Sequence, residues 1–229
     1  MITTCANLIN FVLASTLAVT AFAQTPQEKL QTRSGNAAET LTQLLTAPDR
    51  TAPTSLLKNA SCIAVIPQVI KGGFLVGATY GRGLVSCRNG DDWGAPEFLM
   101  ITGGSFGFQA GVDTIDLVLI FVHPTARDVV SKGSFTLGVS ASIAAGPVGR
   151  DLRAGVDYKL DSDIYSYSRA QGVFAGVAFE GTVIEPDKSA DELLYGTTLT
   201  SSEILSTPGS SAPHETETFM QTLKSDAPR

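Results

Sequence analysis

Four stretches of the chain alternate bulky and minimal side chains with period two. In GFLVGATYGRG (73–83), Phe74, Val76, Ala78 and Tyr80 stand on one side, and Gly73, Gly77, Gly81 and Gly83 on the other. In SFGFQAGV (105–112), Phe106, Phe108, Ala110 and Val112 oppose Ser105, Gly107, Gln109 and Gly111. SFTLGVSASIAAG (134–146) sets Phe135, Leu137, Val139, Ala141 and Ile143 against Ser134, Thr136, Gly138, Ser140 and Ser142. GVFAGVAFEGTV (172–183) carries Val173, Ala175, Val177, Phe179 and Val183 on its bulky face. Strict alternation marks half-buried strands. Glycine weakens a strand interior unless a backbone or ligand must approach closely. A face of Gly, Ser and Thr therefore means either tight antiparallel curvature or a smooth surface covered by something, and curvature is the simpler reading.

Helical periodicity brackets these strands. Leu30, Ala37, Ala38, Leu41, Leu44 and Leu45 recur at helical spacing over 27–46, with Pro48 closing the segment. A short helix follows Pro53 through 55–59, and CIAVIP (62–67) reads as a short apolar strand ended by Pro67. HPTARDVVSKG (123–133) suits a helix with Pro124 at its start and Gly133 as a stop, and DKSADELLYG (187–196) another ended by glycine. HETETFMQTLKSD (214–226) suits a last helix after a Ser/Pro/Gly-rich linker, STPGSSAP. The sum is α+β: N-terminal helices, then a curved, glycine-rich antiparallel sheet or partial barrel, with short inserted and C-terminal helices.

The first 23 residues read as an export signal, with an apolar run from Leu8 to Ala18 and the cleavage pattern Ala21-Phe22-Ala23, although no Lys or Arg occurs before Lys29. The expected organisation is a signal peptide (1–23), one domain (24–206) and a linker with a C-terminal tail (207–229). The expected location is the periplasm or outside the cell, with peripheral membrane association. A net charge of −6 and a pI near 4.9 argue against nucleic acid as a partner. Any anionic ligand must meet a local basic patch. Cys62 and Cys87 remain after cleavage, either as a disulfide or as two buried thiols, and they are too few for a structural zinc site.

GGSFG (103–107) matches G-x-S-x-G literally. A nucleophile elbow needs a helix directly after the serine, whereas period-two alternation continues past Ser105. Asp187 and His214 would complete a triad on paper, but His214 follows the linker and His123 precedes a proline. Asp113 and Asp116 flank a turn before the apolar run LVLIFV. Asp157, Asp161 and Asp163 lack the ligand order and glycine of an EF-hand. No P-loop and no H-E-x-x-H occurs. The residues support neither an enzyme, a metal nor a cofactor.

Five motifs in order carry a resemblance: NASCIAVIPQVIKGGFLVGATYGRGLVSCR, APEFLMITGGSFGFQAGVDTIDLVLIF, FTLGVSASIAAGPVGR, IYSYSRAQGVFAGVAFEGTVI and LLYG. From about Ala37 to Leu205 the chain resembles the SYLF domain family. The family is shared by exported bacterial proteins, a yeast actin-patch protein with an SH3 domain, and vertebrate and plant relatives. The resemblance implies a compact α+β domain that binds phospholipid, phosphoinositides in eukaryotic members, and actin in some of them. Actin enters only through the family, since an exported protein would not meet it. Eukaryotic members are expected to grip membranes through a basic amphipathic N-terminal segment. Here Lys29, Arg33 and Arg50 are balanced by Glu28, Glu39 and Asp49.

Given that resemblance, the basic residues beside glycine-rich turns become candidates for an anionic head group. These are Lys71 before Gly72-Gly73, Arg82 between Gly81 and Gly83, and Arg150 and Arg153 after AAGPVG. The competing reading of each is a surface charge paired with a nearby acid, as in Arg150 with Asp151 or Arg169 with Asp163. The expected function is a non-enzymatic phospholipid-binding module of the cell envelope. The alternative is an envelope interaction protein whose glycine-rich face docks a protein partner. An outer-membrane barrel ranks last, because helices interrupt the strands.

Overall fold

The computed structural model describes residues 24–46, 54–147, 161–170, 173–176 and 179–228. Two long strands dominate it, β1 (Cys62–Asn89) and β3 (Glu97–Phe121), paired antiparallel from Cys62 opposite Phe121 to Val85 opposite Glu97. The two-residue β2 (Asp92–Trp93) folds back on the end of β1. On the other edge of β3, β6 (Ile164–Ala170) pairs with residues 116–121 and β8 (Val183–Pro186) with residues 99–102. The strands β4 (Phe135–Thr136), β5 (Ile143–Ala145) and β7 (Val173–Gly176) complete a curled half-barrel. The sheet is mixed rather than wholly antiparallel, because β5 runs parallel to β6. Side-chain bonds fix that register: the Asp163 carboxylate accepts from both the backbone N–H and the hydroxyl of Ser142.

Several expected breaks are absent. Pro67 does not end its strand; the ladder shifts register between Ile66 and Val69, and β1 continues. At that bulge Gln68 takes the left-handed conformation (φ 53°) and its N–H donates to Asp116 Oδ1 at 3.0 Å. No turn separates Asp113 from Asp116, which both lie within β3. Conversely, the alternation over 134–146 is not one strand. A turn whose Gly138 has φ 78° divides it into β4 and β5. Another turn at Glu180–Gly181 lies between β7 and β8.

Around residues 62–66, 84–87 and 117–121 the sheet is covered on both faces, which explains its continuous apolar runs there. Ile63, Val65, Leu84, Val118 and Ile120 pack beneath the helices α1 (Pro26–Thr46), α2 (Thr54–Lys58) and α6 (Glu217–Asp226). Ala64, Ile66, Leu117, Leu119 and Phe121 face the interior of the curl, with Val130 of α3 (Pro124–Ser131) and Leu205 of α5 (Ser201–Ser206). A reciprocal Thr25–Glu28 capping box opens α1. Asp187 caps α4 (Lys188–Tyr195), which Gly196 closes. Helix α5, unforeseen in the sequence, carries a second capping box between Thr200 and Glu203. The segment read as a linker is packed instead. Pro208 bridges to Gly94, two 3-10 turns follow, and Phe219 and Leu223 of α6 are buried against the core.

The glycine face acquires its meaning here. β1 curls so far that its own segments meet across the interior. A Cβ on Gly81 would lie 2.9 Å from both Ile66 and Val69, and one on Gly83 2.1 Å from the Val65 carbonyl oxygen. The Cys62–Cys87 disulfide joins the two ends of the same strand. Gly83→Ala is therefore expected to destabilise by at least about 2 kcal/mol, since only backbone movement relieves the clash. Gly104→Ala, with open space around its Cβ, should stay within about 0.5 kcal/mol of the native protein. Removing the disulfide by Cys62→Ala/Cys87→Ala should cost about 3 kcal/mol. Urea unfolding curves measure all three.

Candidate functional site

The basic candidates named from the sequence do not form one patch. Lys71 sits with Nζ 3.8 Å from the centre of the Phe179 ring and pairs across the ladder with Asp113. Burial lowers its pKa, against the opposing pull of Asp113. Arg82 lies eleven residues further along β1. Its Nε donates to the Tyr80 hydroxyl, and its Nη1 is 3.9 Å from Asp187 Oδ2. Each cation thus faces a different element and already has an acidic or aromatic neighbour. Arg150 and Arg153, like the pair Arg150–Asp151, lie outside the described residues. Arg169 does not pair with Asp163: its Nη2 is 2.7 Å from Asp116 Oδ2, and it also donates to Gln43 of α1.

Asp187 is the centre of a buried polar clasp. Arg33 of α1 reaches it at 2.9 Å, and the same guanidinium lies 5.4 Å from the centre of the Phe98 ring. The Asp187 backbone N–H donates to the Phe98 carbonyl, while the Phe98 N–H donates to Asp191 Oδ1, each at 2.9 Å. Glu97 and Asp191 are 3% and 4% exposed. Burial pushes the Glu97 carboxyl up to about 7, opposed by a hydrogen bond with Ser201. Burial also pushes Asp191 up to about 8; the Phe98 N–H opposes it, the charges of Glu97 and Asp187 add to it, and Arg33 opposes it. Burial likewise raises the pKa of Tyr195, whose hydroxyl donates to the Pro96 carbonyl at 2.6 Å. A cavity of about 510 Å³ adjoins the two carboxyls, with Lys132, Lys188, Thr200 and Ser201 among its walls. The arrangement joins α1, α4 and β3 through charge and hydrogen bonds.

Among the described residues catalytic constellations do not assemble. Ser105 lies within β3, opposite Gly77 of β1, in a ladder that continues on both sides. His214 is solvent-exposed beside Glu217 at 3.0 Å, and His123 precedes α3. Among the described residues no three His, Cys, Asp or Glu side chains are grouped to hold a metal, and no helix is long and apolar enough to cross a membrane.

Sequence reading missed three basic residues that line one hollow. Lys58, Arg88 and Arg127 line a hollow of about 360 Å³ whose described walls contain no carboxylate. These residues are distant in the chain and follow no shared spacing, so only the fold brings them together.

The fold defines a class: a glycine-rich half-barrel held between helices, with no assembled catalytic group among its described residues. The family described as Ysc84, Las17-binding protein actin regulator, matches residues 102–226, and the chain belongs to this family, whose domain is the SYLF domain. SH3 domain-containing YSC84-like protein 1 of Xenopus laevis is 36% identical over 174 residues, which cover 73% of this chain and 52% of that protein. An SH3 domain-containing protein of Schizosaccharomyces pombe is 39% identical over 158 residues, covering 67% of this chain and 36% of the relative. Protein YSC84 of Saccharomyces cerevisiae is 36% identical over 162 residues, covering 69% and 34%. The chain spans about half or less of the length of these relatives.

The clasp makes stability depend on pH. The folded-state pKa values of Glu97 and Asp191 lie above those of the unfolded chain, so the native state keeps protons the unfolded state releases. The contribution of these two groups is most favourable below about pH 4 and declines as pH rises toward about 8. Glu97→Gln is expected to flatten that decline and to raise stability at alkaline pH by on the order of 2 kcal/mol. Urea unfolding across this range checks the slope.

Proposed function

We propose that the chain is a non-enzymatic module that binds anionic phospholipid at a membrane surface of the cell envelope, through cations gathered locally on an acidic protein. The observation that carries this reading is family membership, because phospholipid binding is what the SYLF resemblance implies. The envelope location follows from the export pattern of residues 8–23, which lie outside the described residues. The family description names Las17 binding and actin regulation, so a protein partner is the second reading. For this chain the part of the glycine face formed by Gly81 and Gly83 is a poor basis for it. Gly81 and Gly83 are buried, and the strand's own Ile66 and Val65 occupy the space a partner would need.

Head-group contact of this kind is largely screened charge. The protein is expected to co-sediment with phosphatidylglycerol or cardiolipin vesicles at low salt, to bind phosphatidylcholine vesicles weakly, and to release anionic vesicles as salt rises. Binding to no vesicle, or binding indifferent to salt and lipid charge, would overturn the proposal.

A further inference from the structure

We propose that the hollow lined by Lys58, Arg88 and Arg127 is a phosphate site that receives the head-group phosphate of an anionic phospholipid. The proposal rests on the phospholipid reading and assigns it a place that Lys71 and Arg82 do not supply. The hollow of about 360 Å³ opens between the end of α2, the two ends of β1 and the start of α3. That volume falls within the range of small-ligand sites.

The charge at this site runs against composition. The chain has 22 acidic and 16 basic residues, yet Lys58 and Arg127 line one hollow among whose described lining residues there is no Asp or Glu. Asp92 is turned to Lys224 at 3.6 Å, and Asp163 to Ser142 and Thr125. Lys58 is exposed and has no ion pair among the described residues. Arg127 spends Nη1 on the Arg88 carbonyl at 2.6 Å, which leaves further N–H groups of its fork for an oxyanion.

The walls are also held still. Arg88 donates from Nη2 to the Ala227 carbonyl at 2.7 Å, and its guanidinium lies 4.1 Å from the centre of the Trp93 ring. The Arg88 N–H donates to the Ser61 carbonyl at 2.7 Å. Cys62 and Cys87, the immediate neighbours of Ser61 and Arg88, are disulfide-bonded. A site whose donors are already ordered loses little entropy when it binds. Lys58 supplies a mobile point charge, and Arg127 a planar fork suited to phosphate geometry.

The test compares three full-chain proteins: native, Lys58→Ala/Arg127→Ala, and Lys132→Ala/Lys188→Ala, which removes the same charge elsewhere. Each is titrated with phosphatidylglycerol vesicles and, separately, with inorganic phosphate and glycerol phosphate followed by NMR. The site variant should bind anionic vesicles about tenfold more weakly than native, and the control within about twofold. Lys58→Glu combined with Arg127→Lys serves if loss of the Arg127 bond to Arg88 prevents folding; it should weaken vesicle binding as well. If native protein binds vesicles and the site variants match the control, the hollow is overturned while the phospholipid reading stands. If the soluble phosphates shift resonances in native protein but not in the site variant, and no vesicle is bound, the hollow stands as a site for a free phosphate and the lipid reading falls. Binding of neither overturns both.

Discussion

The close approach of β1 to itself is the constraint on which this structure depends. A strand of 28 residues would normally be far too long to remain within one small domain, since typical strands run to about ten residues at most. It stays within one because it curls, and it curls so tightly that Gly83 faces the Val65 carbonyl with no room for a side chain. The disulfide between its first residue and Cys87 closes the curl chemically. β3 follows the same path because it is hydrogen-bonded to β1 along almost its whole length. Near its closed end both faces of the doubled ribbon present apolar side chains, and helices cover each of them there.

How those helices are held bears on membrane attachment. The apolar stripe of α1, made by Leu30, Ala37, Leu41 and Leu44, is buried against β1 and the C-terminal helix rather than presented outward. Arg33 ties the helix to Asp187, and Gln43 accepts from Arg169. Laying this stripe on a bilayer would expose the core beneath it and break a buried ion pair, a loss of several kcal/mol. The N-terminal route suggested by the family resemblance is therefore costly here. A membrane contact made by side chains on the folded body requires no such rearrangement.

The sequence disclosed the parts of this design that local chemistry decides. The helix over Leu30–Leu44, the Pro124 start of α3, and the Gly196 stop of α4 follow from spacing and capping. α5 went unread although its Thr200–Glu203 box is a T-x-x-E helix-start pattern, because its apolar stripe is too short for periodicity to flag. Pro67 misled because a bulge, with Gln68 bonded to Asp116, absorbs the proline within a continuing strand. Alternation over 134–146 misled in the opposite sense, because Gly138 serves a turn. Which face of the alternation turns inward depends on curvature, and no local pattern encodes that. Ala78 and Tyr80 of the bulky face are exposed, while Thr79 and Gly81 are buried.

The same distinction separates the basic residues. Lys71 and Arg82 attract notice in the sequence because they adjoin glycines, and the folded chain gives both of them aromatic and acidic neighbours. Lys58, Arg88 and Arg127 sit in unremarkable local sequence, and the strand's closure brings them to the walls of one hollow. Where β1 returns to its origin, Ser61 meets Arg88, and the start of α3 is carried alongside. An acidic protein gains no general attraction for an anionic surface, so its recognition of one must rest on places where topology gathers cations faster than acids. The closure point of the half-barrel is the place proposed above, and its rigidity comes from the same disulfide and backbone bonds that close the fold.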